Sequence, residues 1–253
     1  MTCEGPEIKL QADFLGKYLI GKNIDILFLG GKYKIAKPKN WKDLTFPCKV
    51  VDVRTKGKVL YIKLNNQYYI VVKSHLNSGW KRFLFKYSKW KIVIDRKKSI
   101  WFRDPHNLSQ IIVTKNISDV LDSLGDDIFY ISKKKFDSLT YNNPDKNITS
   151  LLSDQKIISG CGNYLKSEIL YYAKISPKRK IKSLSKSECE NLYEALKIVP
   201  RVSYNNMGNP YWENENGKMG GNYLNTFVYK NSNSEKFKSA DGKNVYWKKN
   251  IQK

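Results

Sequence analysis

The texture of this chain turns from β-prone to helical near residue 116, and that change limits the folds open to it. From about residue 22 to 115, short runs rich in Val, Ile and Tyr (IDILFL, KVVDV, VLYIKL, YYIVV, WKIVI and IIVT) are broken at short intervals by Gly, Asn, Lys and Pro. Such runs read as strands, and together they predict a sandwich or barrel-like β domain of about eight strands. Residues 4–20 (EGPEIKLQADFLGKYLI) before it read as a helix, with Pro6 in its first turn and Gly21 at its end. From about 117 onward, ISDVLDSLG, SKKKFDSL, NITSLLSD, NYLKSEILYYAKI and SKSECENLYEALKIV carry apolar residues at three- to four-residue spacing, which predicts helices. Residues 202–222 are rich in Asn and Gly and read as a long loop. The closing stretch, NTFVYKN through GKNVYWKKNIQK, reads as a hairpin with a polar tip. The expected fold is therefore α+β, a helix and β-sandwich over 1–115, a helical domain over 116–222 and a hairpin over 223–253, with a cleft between the two larger parts.

Charge points to the partner. The 253 residues hold 46 Lys and Arg against 23 Asp and Glu, a formal net charge of +23. An excess this large calls for a partner dense in negative charge, nucleic acid first and an anionic membrane second. The membrane is disfavoured, since no apolar run approaches the roughly 18 residues of a spanning helix. Glu4 and Glu7 stand where a signal peptide has its basic start, and no unbroken apolar stretch follows. Cys3, Cys48, Cys161 and Cys189 are scattered without CxxC spacing, which predicts neither a disulfide framework nor a zinc site. An intracellular, metal-free protein that uses no cofactor is expected.

Three stretches carry chemistry. Glu4-Gly5-Pro6-Glu7 puts two carboxylates in the first turn of the opening helix, where the helix dipole by itself favours acids. Arg54-Thr55-Lys56-Gly57-Lys58 is a basic turn that leads into a strand. The most specific is LLSDQKIISGCGNYLKSEILYYAKISPKR at 151–179, in which Gly160-Cys161-Gly162-Asn163 forms a tight turn opening a helix. Backbone N–H groups at such a start can grip a phosphate, and Asn163 can add a side-chain donor. Asn163 as a plain N-cap is the simpler alternative.

The last stretch resembles the helix-two-turn-helix of the formamidopyrimidine-DNA glycosylase/endonuclease VIII family, whose form is close to LLDQxxxxGIGNxYxxE. EGPE resembles that family's opening PEGPE, and RTKGK resembles its RRGK turn. His75-Leu76-Asn77-Ser78-Gly79 resembles HLGMSG with one residue missing, and Phe102-Arg103-Asp104-Pro105-His106-Asn107-Leu108 resembles FxDPRRFG. The five motifs occur in family order across nearly the whole chain. The C-terminus departs from the pattern: in the string matching GRxTxFCPxCQ, Lys248 and Ile251 occupy the cysteine positions and Lys243 that of the arginine. Without thiolates no zinc is held, and the segment is similar to the zincless finger of some endonuclease VIII-like members.

The resemblance implies a base-excision-repair glycosylase with lyase activity on damaged double-stranded DNA, acting as a monomer. An amine attacks the deoxyribose C1′, displaces the base and forms a Schiff base, and elimination then cuts the strand. A free α-amine suits this, its reference pKa of about 7.7–8.0 lying well below the roughly 10.4 of lysine. By resemblance Glu4 is the proton donor, with Glu7 in the same pocket. Lys58 contacts phosphate near the lesion and assists elimination, and Asn163 and Lys243 hold the DNA backbone. Asn77 or Leu76, with Leu108, fills the gap left by the displaced base, while the family's intercalating arginine is replaced around His106 and Asn107. The family's nucleophile, a proline directly before the Glu, aligns with Cys3, and Thr2 is one residue extra. Either Thr2, exposed by removal of Met1, or a further processed Cys3 would then carry the amine. The opening EGPE and the absent zinc ligands point to the endonuclease VIII branch and to oxidised pyrimidines. Two alternatives remain open: a catalytically impaired damage-binding protein of the same fold, and an RNA-binding protein that shares only the helical module.

Overall fold

The computed structural model describes residues 3–29, 38–209, 212–218 and 227–253. They form two compact units. The first holds Glu7–Asp122 with Cys3 and residues 212–218; the second holds Glu4–Pro6 with residues 123–209 and 227–253. Two short segments, Glu4–Pro6 and residues 212–218, thus leave their sequence neighbours.

The first unit is one helix on an antiparallel sheet. α1 (Gly5–Leu19) has Glu7 in its first turn and Lys17 in its last, each at the helix end where its charge is favoured. Ile8, Leu15 and Leu19 recur on one face and are fully buried. Gly21 ends the helix with φ +80°, a left-handed conformation that glycine adopts without steric cost. Its N–H donates to the Val50 carbonyl at 2.9 Å, tying the helix end to the sheet.

The eight strands are β1 (Asn23–Phe28), β2 (Cys48–Lys56), β3 (Val59–Leu64), β4 (Tyr69–Lys73), β5 (Gly79–Lys81), β6 (Ser88–Ile94), β7 (Lys98–Arg103) and β8 (Gln110–Thr114). They hydrogen-bond in the order β5-β7-β6-β1-β2-β3-β4-β8, every pairing antiparallel. The register shifts between Val50 and Asp52, a bulge of the kind that bends a strand. One core gathers residues of all eight strands together with α1. Its densest point is aromatic: Trp80 lies 4.7 Å from Trp90 and 5.1 Å from Phe102, ring centre to ring centre, both edge-on. All six apolar runs of the sequence are strands. β5 and β7 are added by GWK and KSIWFR, one too short and the other too polar to stand out.

α2 (Ser118–Leu121) closes the first unit. The second unit contains β9 (Asp126–Asp127), α3 (Lys133–Tyr141), α4 (Ile148–Ser153), β10 (Ile158–Ser159), α5 (Asn163–Tyr172), α6 (Lys186–Asn205), β11 (Glu235–Lys238) and β12 (Asn244–Trp247). Side chains cap three helices: Ser132 accepts from Lys135 N–H, Asn147 from Thr149 N–H, and Ser185 forms a reciprocal box with Glu188.

Two sequence expectations change. α6 extends through Asn205, into the stretch read as loop from 202; Pro200 removes one N–H but not the helix, because Leu196, Val199 and Ser203 stay buried around it. Residues 210, 211 and 219–222 of that loop, and 223–226 of the segment read as the hairpin, lie outside the described residues. The C-terminal hairpin exists, but its first strand is Glu235–Lys238 paired to Asn244–Trp247, not the apolar run NTFVYKN. The described part of that run is bent around a buried carboxylate instead: Glu168 accepts the N–H groups of Phe227, Val228 and Tyr229 at 2.8–3.1 Å.

Phe102 is fully buried against both tryptophans. Phe102→Ala is expected to lower unfolding free energy by about 3–5 kcal/mol, read by urea denaturation. A loss below about 1 kcal/mol would mean that this cluster does not anchor the sheet.

Candidate functional site

In the second unit the site forms around Glu4, which is 1% exposed. Its Oε2 accepts from the N–H groups of Gly162 at 2.7 Å and Leu165 at 3.2 Å, and its Oε1 from that of Tyr164 at 3.0 Å. These are donors that the start of α5 leaves without helical partners. The anion at the head of α5 is therefore Glu4 itself, 158 residues away from Gly162 in sequence. Of the turn's own N–H groups, that of Gly162 is thereby taken by Glu4 and that of Gly160 by Gln155, so neither is open to a phosphate. The second glycine of the turn follows from the same contact: a Cβ on Gly162 would stand 2.2 Å from Cδ of Glu4. Gln155 braces the turn, its amide donating to the Cys161 carbonyl at 2.7 Å and accepting from Gly160 N–H at 3.0 Å. Gly5 N–H donates to the Gly160 carbonyl at 2.9 Å, so the opening EGP segment is tied by backbone as well.

Asn163 is the first residue of α5, and Gly162 is its N-cap. The Asn163 side-chain amide donates to the Asn244 carbonyl at 2.7 Å, which joins the helix start to the hairpin. Lys243 lies in the hairpin turn, 65% exposed, its Nζ 3.9 Å from Asp241. Among the described residues no group of three His, Cys, Asp or Glu could hold a metal, and the hairpin positions with Lys248 and Ile251 supply no zinc ligand.

In the first unit Cys3 is 1% exposed, its thiol donating to the Ser78 carbonyl at 3.4 Å and accepting from the Gln11 amide at 3.7 Å. Burial, reinforced by the Glu7 carboxylate, pushes the thiol up to about 12. Gln11 also accepts from Trp80 N–H at 3.2 Å, and a Cβ on Gly79 would meet its Oε1 at 2.9 Å. Glu7 is fully buried in the first turn of α1.

Lys81 went unremarked in the sequence. It is 2% exposed, and its ammonium donates to the carbonyls of Glu213 and Asn214 at 2.8 and 2.6 Å. Burial brings it down to about 8, against the opposing pull of Glu213. Arg103 reaches the same Glu213 carboxylate at 2.9 Å, so two cations hold residues 213 and 214 on the sheet. Nothing in a lysine between Trp80 and Arg82 signals burial; only the partner segment reveals it.

The remaining predicted residues lie on loops of the first unit. Lys58 follows Gly57, φ +57°, at the tip between β2 and β3, half-buried and without an ion pair among the described residues. Asn77, φ +54°, is exposed in a turn closed by Ser78 N–H on the His75 carbonyl at 2.9 Å, with Leu76 half-buried beside it. Leu108 is 48% exposed in a loop that Asp104 organises, accepting from Ser109 N–H at 2.9 Å. His106 and Asn107 are exposed in that same loop. His75 N–H reaches Ser109 Oγ at 3.3 Å, so the two candidate gap-filling loops are joined. Thr2 lies outside the described residues.

Comparison with known proteins agrees in both units. Residues 131–207 match the formamidopyrimidine-DNA glycosylase H2TH domain. A formamidopyrimidine-DNA glycosylase of Arabidopsis thaliana is 26% identical over 221 residues, covering 78% of this chain but only 56% of that longer protein. An endonuclease 8 of Pectobacterium carotovorum is 24% identical over 226 residues, 81% of each chain. The fold is that of the Lactococcus lactis formamidopyrimidine-DNA glycosylase solved with DNA containing an abasic site, with a TM-score of 0.85 at 16% identity over 99% of both chains.

Burial and the raised thiol make Cys3 unreactive, because only thiolate alkylates. In native protein at pH 8, iodoacetamide is expected to leave Cys3 unmodified and to modify half-exposed Cys189 first, read by peptide mass spectrometry. Rapid labelling of Cys3 would show that the N-terminal segment is not packed as described.

Proposed function

The chain is a member of the formamidopyrimidine-DNA glycosylase/endonuclease VIII family, and we propose that it removes oxidised bases from double-stranded DNA and then cuts the strand at the abasic site. The observation that carries this reading is the Glu4 carboxylate, buried and held by three backbone N–H groups at the head of α5. A buried carboxylate fixed this way, one residue from Cys3 in the sequence, suits a proton relay: it takes the proton that the attacking amine gives up and passes it to the departing base. In the proposed reaction an amine at Thr2 or Cys3 attacks the deoxyribose C1′ and the base leaves with a proton. The amine–sugar adduct opens to a Schiff base, and elimination breaks the strand on its 3′ side. Lys58, without an ion pair among the described residues, suits a phosphate next to the lesion. Exposed Asn77 and Leu108, on joined loops, suit the gap left by a base swung out of the stack. Lys243 and Asn163 suit the backbone farther along. Oxidised pyrimidines are the preferred substrate class in this reading, which follows the likeness to endonuclease VIII.

A second reading has one observation in its favour. Cys3 stands where the family has its nucleophilic proline, and its side chain is enclosed at the start of α1. The same fold could then bind damage without cutting it. Borohydride reduction during incubation with an abasic duplex separates the two, because it converts a Schiff base into a permanent amine link. A covalent adduct that disappears when the α-amine is blocked by an added N-terminal tag is the expected result. Tight binding with no adduct would establish the damage-binding reading, and an adduct that survives the tag would move the nucleophile to a lysine.

A further inference from the structure

α5 faces the C-terminal hairpin with a row of polar side chains. Asn163 donates to the Asn244 carbonyl at 2.7 Å, Ser167 Oγ accepts from Tyr246 N–H at 3.2 Å, and Glu168 holds the N–H groups of Phe227, Val228 and Tyr229. The fourth is Lys166, whose side chain is completely buried. Its ammonium lies 2.8 Å from Ser153 Oγ, 3.5 Å from Ser239 Oγ and 3.6 Å from Asp241 Oδ2. An ammonium has three N–H donors, and here it meets three acceptors.

Asp241 is the hub of the hairpin turn. Its Oδ1 accepts from the Ser239 hydroxyl at 2.5 Å and from Lys243 N–H at 3.2 Å, while Oδ2 stands 3.9 Å from Lys243 Nζ. Gly242, φ +75°, lets the chain reverse between them. Burial works against the Asp241 charge, but the Ser239 hydroxyl and Lys166 hold its carboxyl below the usual carboxylate range. Three charged groups therefore share one turn, two cations about one anion, and the exposed one is Lys243. A buried ion pair adds little stability over apolar residues of the same volume, yet it accepts few geometries. An unbranched apolar side chain would fill the space of Lys166 without orienting anything.

We propose that Lys166 is a positioning residue for DNA: its ammonium fixes Asp241, Asp241 fixes the turn, and Lys243 is thereby presented to a backbone phosphate in one orientation. The proposal rests on the reading of the chain as a DNA-binding enzyme. It also makes Asp241 neutral in effect toward DNA, since Lys166 offsets its charge from inside and the exposed Lys243 ammonium, 3.9 Å from Asp241, can still attract phosphate.

The test removes Lys243 in two backgrounds of the full chain, using a duplex with a stable abasic analogue titrated at several salt concentrations. In the otherwise unaltered protein, Lys243→Ala is expected to weaken binding several-fold and to lower the slope of log affinity against log salt by about 0.9, the value for one lost phosphate contact. In Lys166→Met, adding Lys243→Ala should change neither quantity, while Lys166→Arg should restore the full effect. Equal losses in both backgrounds would overturn the proposal. Lys166→Met leaves Asp241 without its buried cation, so Lys166→Met/Asp241→Asn is made alongside it, with amide exchange of Val245, paired to Phe237 across the hairpin, confirming that the hairpin still forms. Should the unaltered protein fail to bind the duplex, the DNA reading falls but positioning is still decided. The Lys243 amide resonance must move in Lys166→Met, and an unmoved resonance overturns the proposal regardless of DNA.

Discussion

The Glu4 carboxylate at the head of α5 is the contact on which the second unit's site depends. It satisfies three N–H groups that a helix start would otherwise leave open, and it does so from a residue at the other end of the sequence from the helix it caps. Charged hydrogen bonds of this kind are roughly twice as strong as neutral ones, and the helix dipole favours the negative charge further. The features around it follow. Gly162 lacks a side chain because Glu4 occupies that space, Gln155 braces the turn from behind, and the Gly5 N–H on the Gly160 carbonyl holds the approach. Part of a motif that looks like a phosphate cradle in sequence holds the protein's own acid.

The same physics recurs where the hairpin meets α5. Glu168 draws three backbone N–H groups into a turn, and burial raises its carboxyl although those three bonds oppose it. Lys178 adds a cation over the ring of Trp247 at 5.2 Å. The last residues close back on the end of α5, with Lys253 N–H on the Lys174 carbonyl at 3.0 Å and the Gln252 amide on the Ile175 carbonyl at 2.9 Å. The buried charged groups here, Lys166 and Glu168, all have partners, the condition under which burial is tolerated, while the Asn163 Oδ1 accepts no hydrogen bond among the described residues. A small hairpin has little apolar area of its own, and Val245 and Trp247 are its buried residues among β11 and β12. Directional bonds to α5 fix it where a core would not.

Much of the fold was legible in the sequence because it rests on local rules. Short runs rich in Val, Ile and Tyr between breakers marked strands, three- to four-residue spacing marked helices, and Gly21 ended α1 where a left-handed residue was needed. The misses share one cause, a distant partner. NTFVYKN has strand propensity, but the Glu168 carboxylate claims its backbone. Lys81 and Lys166 look like two more surface lysines in a chain of net charge +23, and only the carbonyls of Glu213 and Asn214, or Asp241, make them buried ones. Of the site, Glu4 and the Gly160–Asn163 turn were both singled out in the sequence. That one fills the other was not visible, since no spacing rule links residues 158 positions apart.

Single-turnover kinetics of Glu4→Gln tests the role of this carboxylate most directly. Glutamine keeps the size and one acceptor oxygen but cannot deliver the proton, and it leaves at least one N–H of α5 facing an amide nitrogen, at a cost of about 1–3 kcal/mol. The rate is therefore read well below the variant's own melting temperature, on a duplex carrying an oxidised pyrimidine and, separately, on a pre-formed abasic site. Excision of the oxidised base should slow by about 10²–10⁴-fold, with a smaller loss at the abasic site, where no base has to leave. Excision at the unaltered rate in a folded, DNA-binding Glu4→Gln protein would contradict the assignment of Glu4 as the acid.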